Sequence, residues 1–377
     1  MSILKRILIF ICASMLILSS CGKGDIHVPE QGYHIFNNNN QGCFPYDNGE
    51  IYADNIGRLH YADYDTMSTV FICPKPNCPH TDSEVCSSYG MGLFPVAIDG
   101  KLYHLSQNPH YDRDGNFIEQ IDVYSADIEG TNRVKEGVID GQEHIGYAIY
   151  GEGKLYFHYP KKLESGKSES YIRCYDYKNK SVYEYGPIIE EYDTDEMFCG
   201  ESGGELYIML FYRTEKLIPR GQAEIDDEYI DYLYSTSRII YKKLNLKTGE
   251  FSDWEIPEKI KSANNMDVYA LVKDGYYIYS DSKDTLAVTP EGEEYFFDGF
   301  DACNIAMVNG MVLPYLVSGE NKAIDLESGK LVTVNVKEEG LGWGAYVCGY
   351  HGGKYVLRCY DDVKWYDYKK VDLEIVR

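Results

Sequence analysis

Along most of the chain, apolar and polar residues alternate in short runs. Each run is broken by a glycine, usually preceded by Asn, Asp, Glu or a second Gly. Alternation with period two places apolar side chains on one face of a strand, and the breaks supply the positive φ that tight hairpin turns require. One segment recurs seven times: Asn48-Gly49-Glu50-Ile51-Tyr52, Asp99-Gly100-Lys101-Leu102-Tyr103, Glu152-Gly153-Lys154-Leu155-Tyr156, Gly203-Gly204-Glu205-Leu206-Tyr207, Asp274-Gly275-Tyr276-Tyr277-Ile278, Asn309-Gly310-Met311-Val312-Leu313 and Gly352-Gly353-Lys354-Tyr355-Val356. Successive glycines stand 51, 53, 51, 71, 35 and 43 residues apart. Each copy reads as a hairpin.

A second hairpin signal follows several copies, at Asp127-Ile128-Glu129-Gly130, Asn245-Leu246-Lys247-Thr248-Gly249 and Asp325-Leu326-Glu327-Ser328-Gly329. Two hairpins per period give four antiparallel strands, which is one propeller blade. The expected fold class is therefore all-β, a β-propeller of seven four-stranded blades over residues 43–377, with six or eight blades compatible with the uneven spacing. A blade cannot bury both faces alone, so neighbours must stack in a ring. Two stacked β-sandwiches would leave the even recurrence unexplained. The pattern resembles bacterial TolB-like and low-density-lipoprotein-receptor-like propellers. The Tyr-Trp-Thr-Asp, Trp-Asp and Asp-box signatures of named subfamilies are absent, so the resemblance implies architecture alone.

The longest interval departs from the rhythm at 213–235, where Ile225, Tyr229, Tyr232 and Leu233 share one helical face. An inserted, helical excursion is expected there, with its Asp226-Asp227-Glu228 run as a solvated face.

The first twenty residues follow another logic. Lys5 and Arg6 precede the apolar run Ile7 to Leu18, too short to span a bilayer, and Leu18-Ser19-Ser20-Cys21 follows. This resembles the lipobox of bacterial lipoproteins, which implies that residues 1–20 are a signal peptide, that Cys21 takes diacylglycerol, and that the protein faces outward in the cell envelope. More than one acyl chain gives stable anchoring. Residues 21–42, with the run Asn37 to Asn40, read as a flexible tether of which a part can pair as an edge strand.

Composition sharpens this picture in two ways. Tyrosine is unusually frequent, 37 of 377 residues, which suits strands and also supplies rigid amphipathic contact surface. The formal net charge is −24, with no basic cluster to interrupt it, which excludes nucleic acid as a partner. Divalent cations, basic partners, glycans, peptides and proteins remain open.

The most specific internal chemistry is Cys73-x4-Cys78-x-His80-x5-Cys86, the core of a Cys/His-rich insertion at 73–92. Three sulfurs and one imidazole within a short span match a tetrahedral zinc set, and Pro76 and Pro79 restrict the turn around Asn77. Four protein ligands leave no open position for water, so the expected role is structural. Disulfides are the alternative in an oxidising compartment, with Cys43 available to complete a second bridge. The element also resembles a Cys-x4-Cys-x-His motif that precedes a propeller in poorly characterised bacterial surface lipoproteins; the resemblance implies fold and address, and no activity. Cys174, Cys199, Cys303, Cys348 and Cys359 lie in strand-like runs and read as small core residues.

Three weaker signals are set aside. Gly200-Glu201-Ser202-Gly203-Gly204 has the nucleophile-elbow pattern but is followed by a strand where a helix is needed. Asp112-Arg113-Asp114-Gly115-Asn116 opens like a calcium loop, yet Phe117 holds the glycine position and Val123 the place of the bidentate glutamate. His60, His104 and His158 fall in different repeats and read as scattered core histidines. The function expected on this basis is a binding or scaffolding module for an extracellular glycan, peptide or protein. A propeller hydrolase or lyase with a central-channel site and a structural subunit of an envelope assembly are the alternatives.

Overall fold

Seven antiparallel meanders account for most of the described strands, and in each the turn between the first two strands falls at one of the recurring glycine segments. The computed structural model describes residues 33–36, 43–54, 57–80, 86, 88, 93–107, 110–111, 117–142, 144–217, 227–260, 268–281, 283–300, 305–338, 341, 344–359 and 367–376. The chain is all-β, with one α-helix among the described residues, Asp227–Thr236. We number the meanders as sheets 1 to 7, spanning 44–71, 93–140, 148–185, 190–253, 269–297, 306–336 and 345–371. Sheet 1 shows the pattern: Phe44–Tyr46, Gly49–Ala53, Leu59–Asp63 and Ser68–Phe71 pair in chain order, with Phe44 opposite Ile51 and Tyr52 opposite His60. Sheets 2 to 6 repeat its four strands, and sheet 7 has three described strands.

The turns explain why this local structure forms. Asp99-Gly100, Glu152-Gly153, Asp274-Gly275 and Asn309-Gly310 each hold two successive residues at positive φ, as a type I′ hairpin demands. In the first copy the tip lies one residue early, with Asp47 at φ +49°. Gly49 is instead inside the strand, where a Cβ would stand 1.9 Å from the Ala62 carbonyl oxygen. Glycine serves there for close backbone approach.

Along each strand, adjacent residues point to opposite faces, and here both faces are apolar. Val356 packs toward sheet 1 and Leu357 toward sheet 6; Val312 packs toward sheet 5 and Leu313 toward sheet 7. The resulting clusters are cyclic. One joins sheets 1, 2 and 3 through Phe44, Ile51, Leu102, Ile121, Leu155 and Phe157. Others join sheets 3 and 4 through Tyr156 and Leu206, sheets 4 and 5 through Tyr207 and Tyr279, sheets 5 and 6 through Ile278 and Ile324, and sheets 6 and 7 through Val334 and Leu357. Tyr52, Ala62 and Tyr64 then meet Val356 and Tyr368, returning sheet 7 to sheet 1. Each large apolar side chain so buried contributes roughly 1.5–3 kcal/mol. The fourth strands lie outermost, as the exposed run Ser68–Phe71 in sheet 1 illustrates.

The described end segments reinforce other sheets. His34–Phe36, within the stretch read as a tether, pairs with Ala148–Gly151 at the inner edge of sheet 3, and Phe36 is fully buried. Leu373–Val376 pairs with the outer strand of sheet 6. Sheets 7 and 1 are consequently held by side-chain packing. The helix Asp227–Thr236 falls within the expected excursion at 213–235 except for its last residue. It is tied down where the Thr214 amide donates to Thr236 O at 2.9 Å and Tyr232 OH donates to Lys216 O at 3.0 Å. Tyr229 is buried while Ile230 and Tyr234 face solvent; Ile225 lies outside the described residues.

Candidate metal centre and central cavity

The outer strand of sheet 1 ends at Phe71, and the chain then turns back over that edge. Cys73 N–H donates to Phe71 O at 2.8 Å and Cys78 N–H to Lys75 O at 3.3 Å. Asn77 and His80 both adopt positive φ, +57° and +53°, which coils the segment tightly enough to aim successive side chains inward. The Cys73, Cys78 and Cys86 sulfurs and one His80 nitrogen come within 4.8 Å of one another, the geometry of a site that could hold a metal ion. His80 Nδ1 lies 3.1 Å from Cys86 Sγ, and Cys86 Sγ 3.0 Å from Ser88 Oγ. All eight described cysteines carry free thiols.

The surroundings fix the imidazole. His80 stacks on Phe71 at 3.9 Å between ring centroids, and Phe71 also packs against His60 and beneath the Arg58 guanidinium. Asp54 accepts from Arg58 Nε at 2.5 Å and lies 3.0 Å from His60 Nε2. Burial, reinforced by the Arg58 charge and by His60, lowers the His80 pKa, keeping its ring neutral and able to ligate. The structure brings together the four residues that the sequence spacing singled out, Cys73, Cys78, His80 and Cys86. That spacing missed the Arg58–Phe71–His80 stack, because pairing with the neighbouring strand brings those residues together.

Cys43 takes no part in this cluster. It is buried at the other side of sheet 1, where the Arg358 guanidinium donates to its sulfur, and it lines a cavity of about 340 Å³. The walls come from the segment before sheet 1 and from sheets 1, 4, 5, 6 and 7, including His34, Glu50, Lys273, Tyr346 and Cys348. Arg358 Nη1 also donates to Glu50 Oε1 at 3.2 Å, and Tyr368 OH donates to the same oxygen at 2.5 Å. His34 Nε2 donates to Cys43 O at 2.5 Å. Burial pushes the His34 pKa down to about 4, with Lys273 and Arg358 adding repulsion against the partial offset of that hydrogen bond, so the ring is neutral at pH 7. Two cations then face one carboxylate in this cavity, against the strongly acidic balance of the whole chain.

Other singled-out residues fall elsewhere. Ser202 closes the strand Glu190–Ser202, directly before the Gly203-Gly204 turn, so no nucleophile elbow forms. His60, His104 and His158 do not converge. His60 pairs with Asp54, His104 is fully buried against the Tyr124 ring, and His158 lies between Glu196 and Ser170. Cys174, Cys199 and Cys359 are buried in strands as expected, whereas Cys348 lines the central cavity. Cys21, Cys303 and the Asp112 to Asn116 loop lie outside the described residues.

The chain matches no family model and no curated protein. Among solved structures it is similar to the β-propeller domain of the trilobed protease from Pyrococcus furiosus, at 11% identity over 92% of this chain and 98% of that one, with a TM-score of 0.40. It is also similar to an ulvan lyase of polysaccharide lyase family PL25, at 8% identity, 87% and 90% coverage and a TM-score of 0.42. A third is the oligogalacturonate lyase from Vibrio parahaemolyticus, at 13% identity, 88% and 76% coverage and a TM-score of 0.36. No residue role follows from likeness at this level.

Proposed function

We propose that this chain is a lipid-anchored, seven-bladed β-propeller of the bacterial cell envelope that works as a binding module, accepting an anionic group of a glycan, peptide or protein ligand in its central cavity. The observation that carries this reading is the cavity lined by Arg358, Lys273 and Glu50, a site that no single sheet can supply. The cyclic order of the apolar clusters supports seven blades in a ring. Binding is favoured over turnover because Glu50, the carboxylate in that cavity, is already held by Arg358 and Tyr368, which leaves it poorly placed as an acid or base.

The Cys73, Cys78, His80 and Cys86 set is read as a structural zinc site. Zn–S bonds of about 2.3 Å place tetrahedral ligands just under 4 Å apart, so a small contraction of the cluster suffices. Bound there, the ion would tie Cys73, Cys78, His80 and Cys86 to one another beside the outer strand of sheet 1, against which His80 stacks through Phe71. The lipobox at Cys21 would hold the module at the membrane.

The experiment is a thermal-shift titration of the full chain in detergent with glucuronate and acetylated acidic dipeptides beside their neutral counterparts. A binder raises the melting temperature by mass action. Acidic ligands should stabilise the protein and neutral ones should not, and Lys273→Gln should weaken the effect. Equal responses to both sets would refute the anionic reading.

A further inference from the structure

A second cavity, of about 380 Å³, lies between sheet 1 and the turn that joins the last two strands of sheet 2, and it shares no lining residue with the central one. Its volume falls in the lower part of the range of about 300–1,000 Å³ typical of small-molecule sites.

The walls are apolar. Ile51 and Ile72 are buried at the base, Tyr61 and Ile128 are half-buried, and Val70 is 54% exposed at the mouth. Tyr46 and Tyr61 meet edge to face with ring centroids 6.3 Å apart.

The recess is held open by fixed backbone on both sides. In the sheet 2 turn, Gly130 N–H donates to Asp127 O at 2.7 Å, and Thr131 Oγ1 donates to Asp127 Oδ2 at 2.9 Å. Gly130 has φ +83°, and a Cβ there would stand 2.5 Å from Ile72 O, so the turn seats against sheet 1 more closely than any other residue would allow. That contact sets Ile128 and Glu129 at the cavity.

Charge selects among occupants. Among the described residues, the charged side chains that line the cavity are two carboxylates, Asp47 from the first hairpin tip of sheet 1 and Glu129 from sheet 2. Both residues are exposed, so an occupant can reach them. Both also bear on one point: the Tyr46 hydroxyl pKa is raised by burial and further by Asp47 and Glu129. The Arg58 guanidinium lies over Phe71 and does not line the cavity. Exposed acids are ordinary in a chain of this charge; what sets this pair apart is the apolar recess beside them. An apolar body seated there brings a cationic end group to both carboxylates, whereas an anionic end group meets repulsion from both.

We infer that this cavity is a binding site for a small organic amine, a protonated amino group carried on one aromatic or cyclic aliphatic ring, with the ring against Ile51, Val70 and Ile128 and the ammonium between Asp47 and Glu129. The inference rests neither on the anionic reading of the central cavity nor on an ion at Cys73.

Isothermal titration calorimetry of the full chain in detergent, with the heat of titration into empty micelles subtracted, measures binding of phenethylamine and cyclohexylmethylamine beside their neutral isosteres phenethyl alcohol and cyclohexylmethanol. Both amines are protonated at pH 7. At least one should bind saturably, and roughly fivefold or more tighter than its alcohol. Asp47→Asn combined with Glu129→Gln should remove that preference while leaving the melting temperature unchanged, since both side chains are exposed and Asn accepts the positive φ of position 47. Val70→Ala should weaken the amine by shortening the wall, and Lys273→Gln, in the central cavity, should not. Failure of both amines to bind, equal binding of amine and alcohol, or amine binding that the double variant leaves unaltered overturns the inference.

Discussion

Arg358 and Glu50 lie 308 positions apart in the chain and 3.2 Å apart in the fold, both almost fully buried. Together with Tyr368, which donates to the same Glu50 oxygen, they tie the last sheet to the first. Sheets 7 and 1 share no backbone ladder among the described residues; this polar junction, the His351–Asp65 pair and the Tyr52, Tyr64 and Val356 cluster hold them together.

Removing one partner strands the other as a buried charge. Arg358→Met alone should lower stability by about 3–5 kcal/mol, whereas Arg358→Met with Glu50→Leu should recover much of that loss. Urea unfolding followed by tyrosine fluorescence measures both. A loss under 1 kcal/mol in the single variant would show that the two sheets are held together by other contacts.

Metal removal separates zinc from disulfide. The protein as purified should carry about one zinc per chain by atomic emission, and a strong chelator should lower its melting temperature while a non-chelating reductant leaves it unchanged. Cys78→Ser should abolish metal retention and reproduce the chelated state. Sensitivity to reductant together with indifference to chelator would assign the cluster to disulfides.

Acid should destabilise the fold through His34. Its folded pKa is pushed down to about 4 by burial, against about 6.5 when unfolded. Between these values the unfolded chain binds a proton that the folded chain refuses. The contribution is therefore intact above pH 6.5 and is lost as pH falls toward 4, on the order of 3 kcal/mol in all. His34→Gln can keep a donor toward Cys43 O and should flatten the pH dependence of the urea midpoint across this window. An unchanged slope would exclude His34 as its source.

Two glycine substitutions should differ in a way that identifies why each glycine is present. At Gly49 an added Cβ meets the Ala62 carbonyl oxygen at 1.9 Å, so Gly49→Ala should cost about 2 kcal/mol or more by forcing two strands of sheet 1 apart. At Gly353, with φ +82° and open space around it, Gly353→Ala should cost only about 1 kcal/mol of backbone strain. Equal losses in thermal unfolding would remove the distinction.

Much of this architecture is legible in the sequence because turn chemistry is local. Asp99-Gly100 and Asn309-Gly310 need only their own φ angles to specify a hairpin, and each stands at one in the structure. Gly49 looked like the same signal and was not, since the close approach of Ala62 arises only once the third strand pairs. The Cys73, Cys78, His80 and Cys86 cluster was equally readable, because these residues lie close together in the sequence.

His158, Glu196 and Ser170 gave no comparable signal. They come from three strands of sheets 3 and 4, and nothing in their spacing distinguishes them from the many other acids and hydroxyls of the chain.

The sequence by itself determined the strands, their hairpins and a soft-ligand cluster, since period-two alternation, positive-φ turns and short-range ligand spacing depend on neighbours along the chain. Only the tertiary structure decided which sheet meets which, that Arg358 reaches Glu50, and that two cavities form between sheets. Those outcomes depend on burying both apolar faces of every sheet at once, a condition that no single segment can satisfy or reveal.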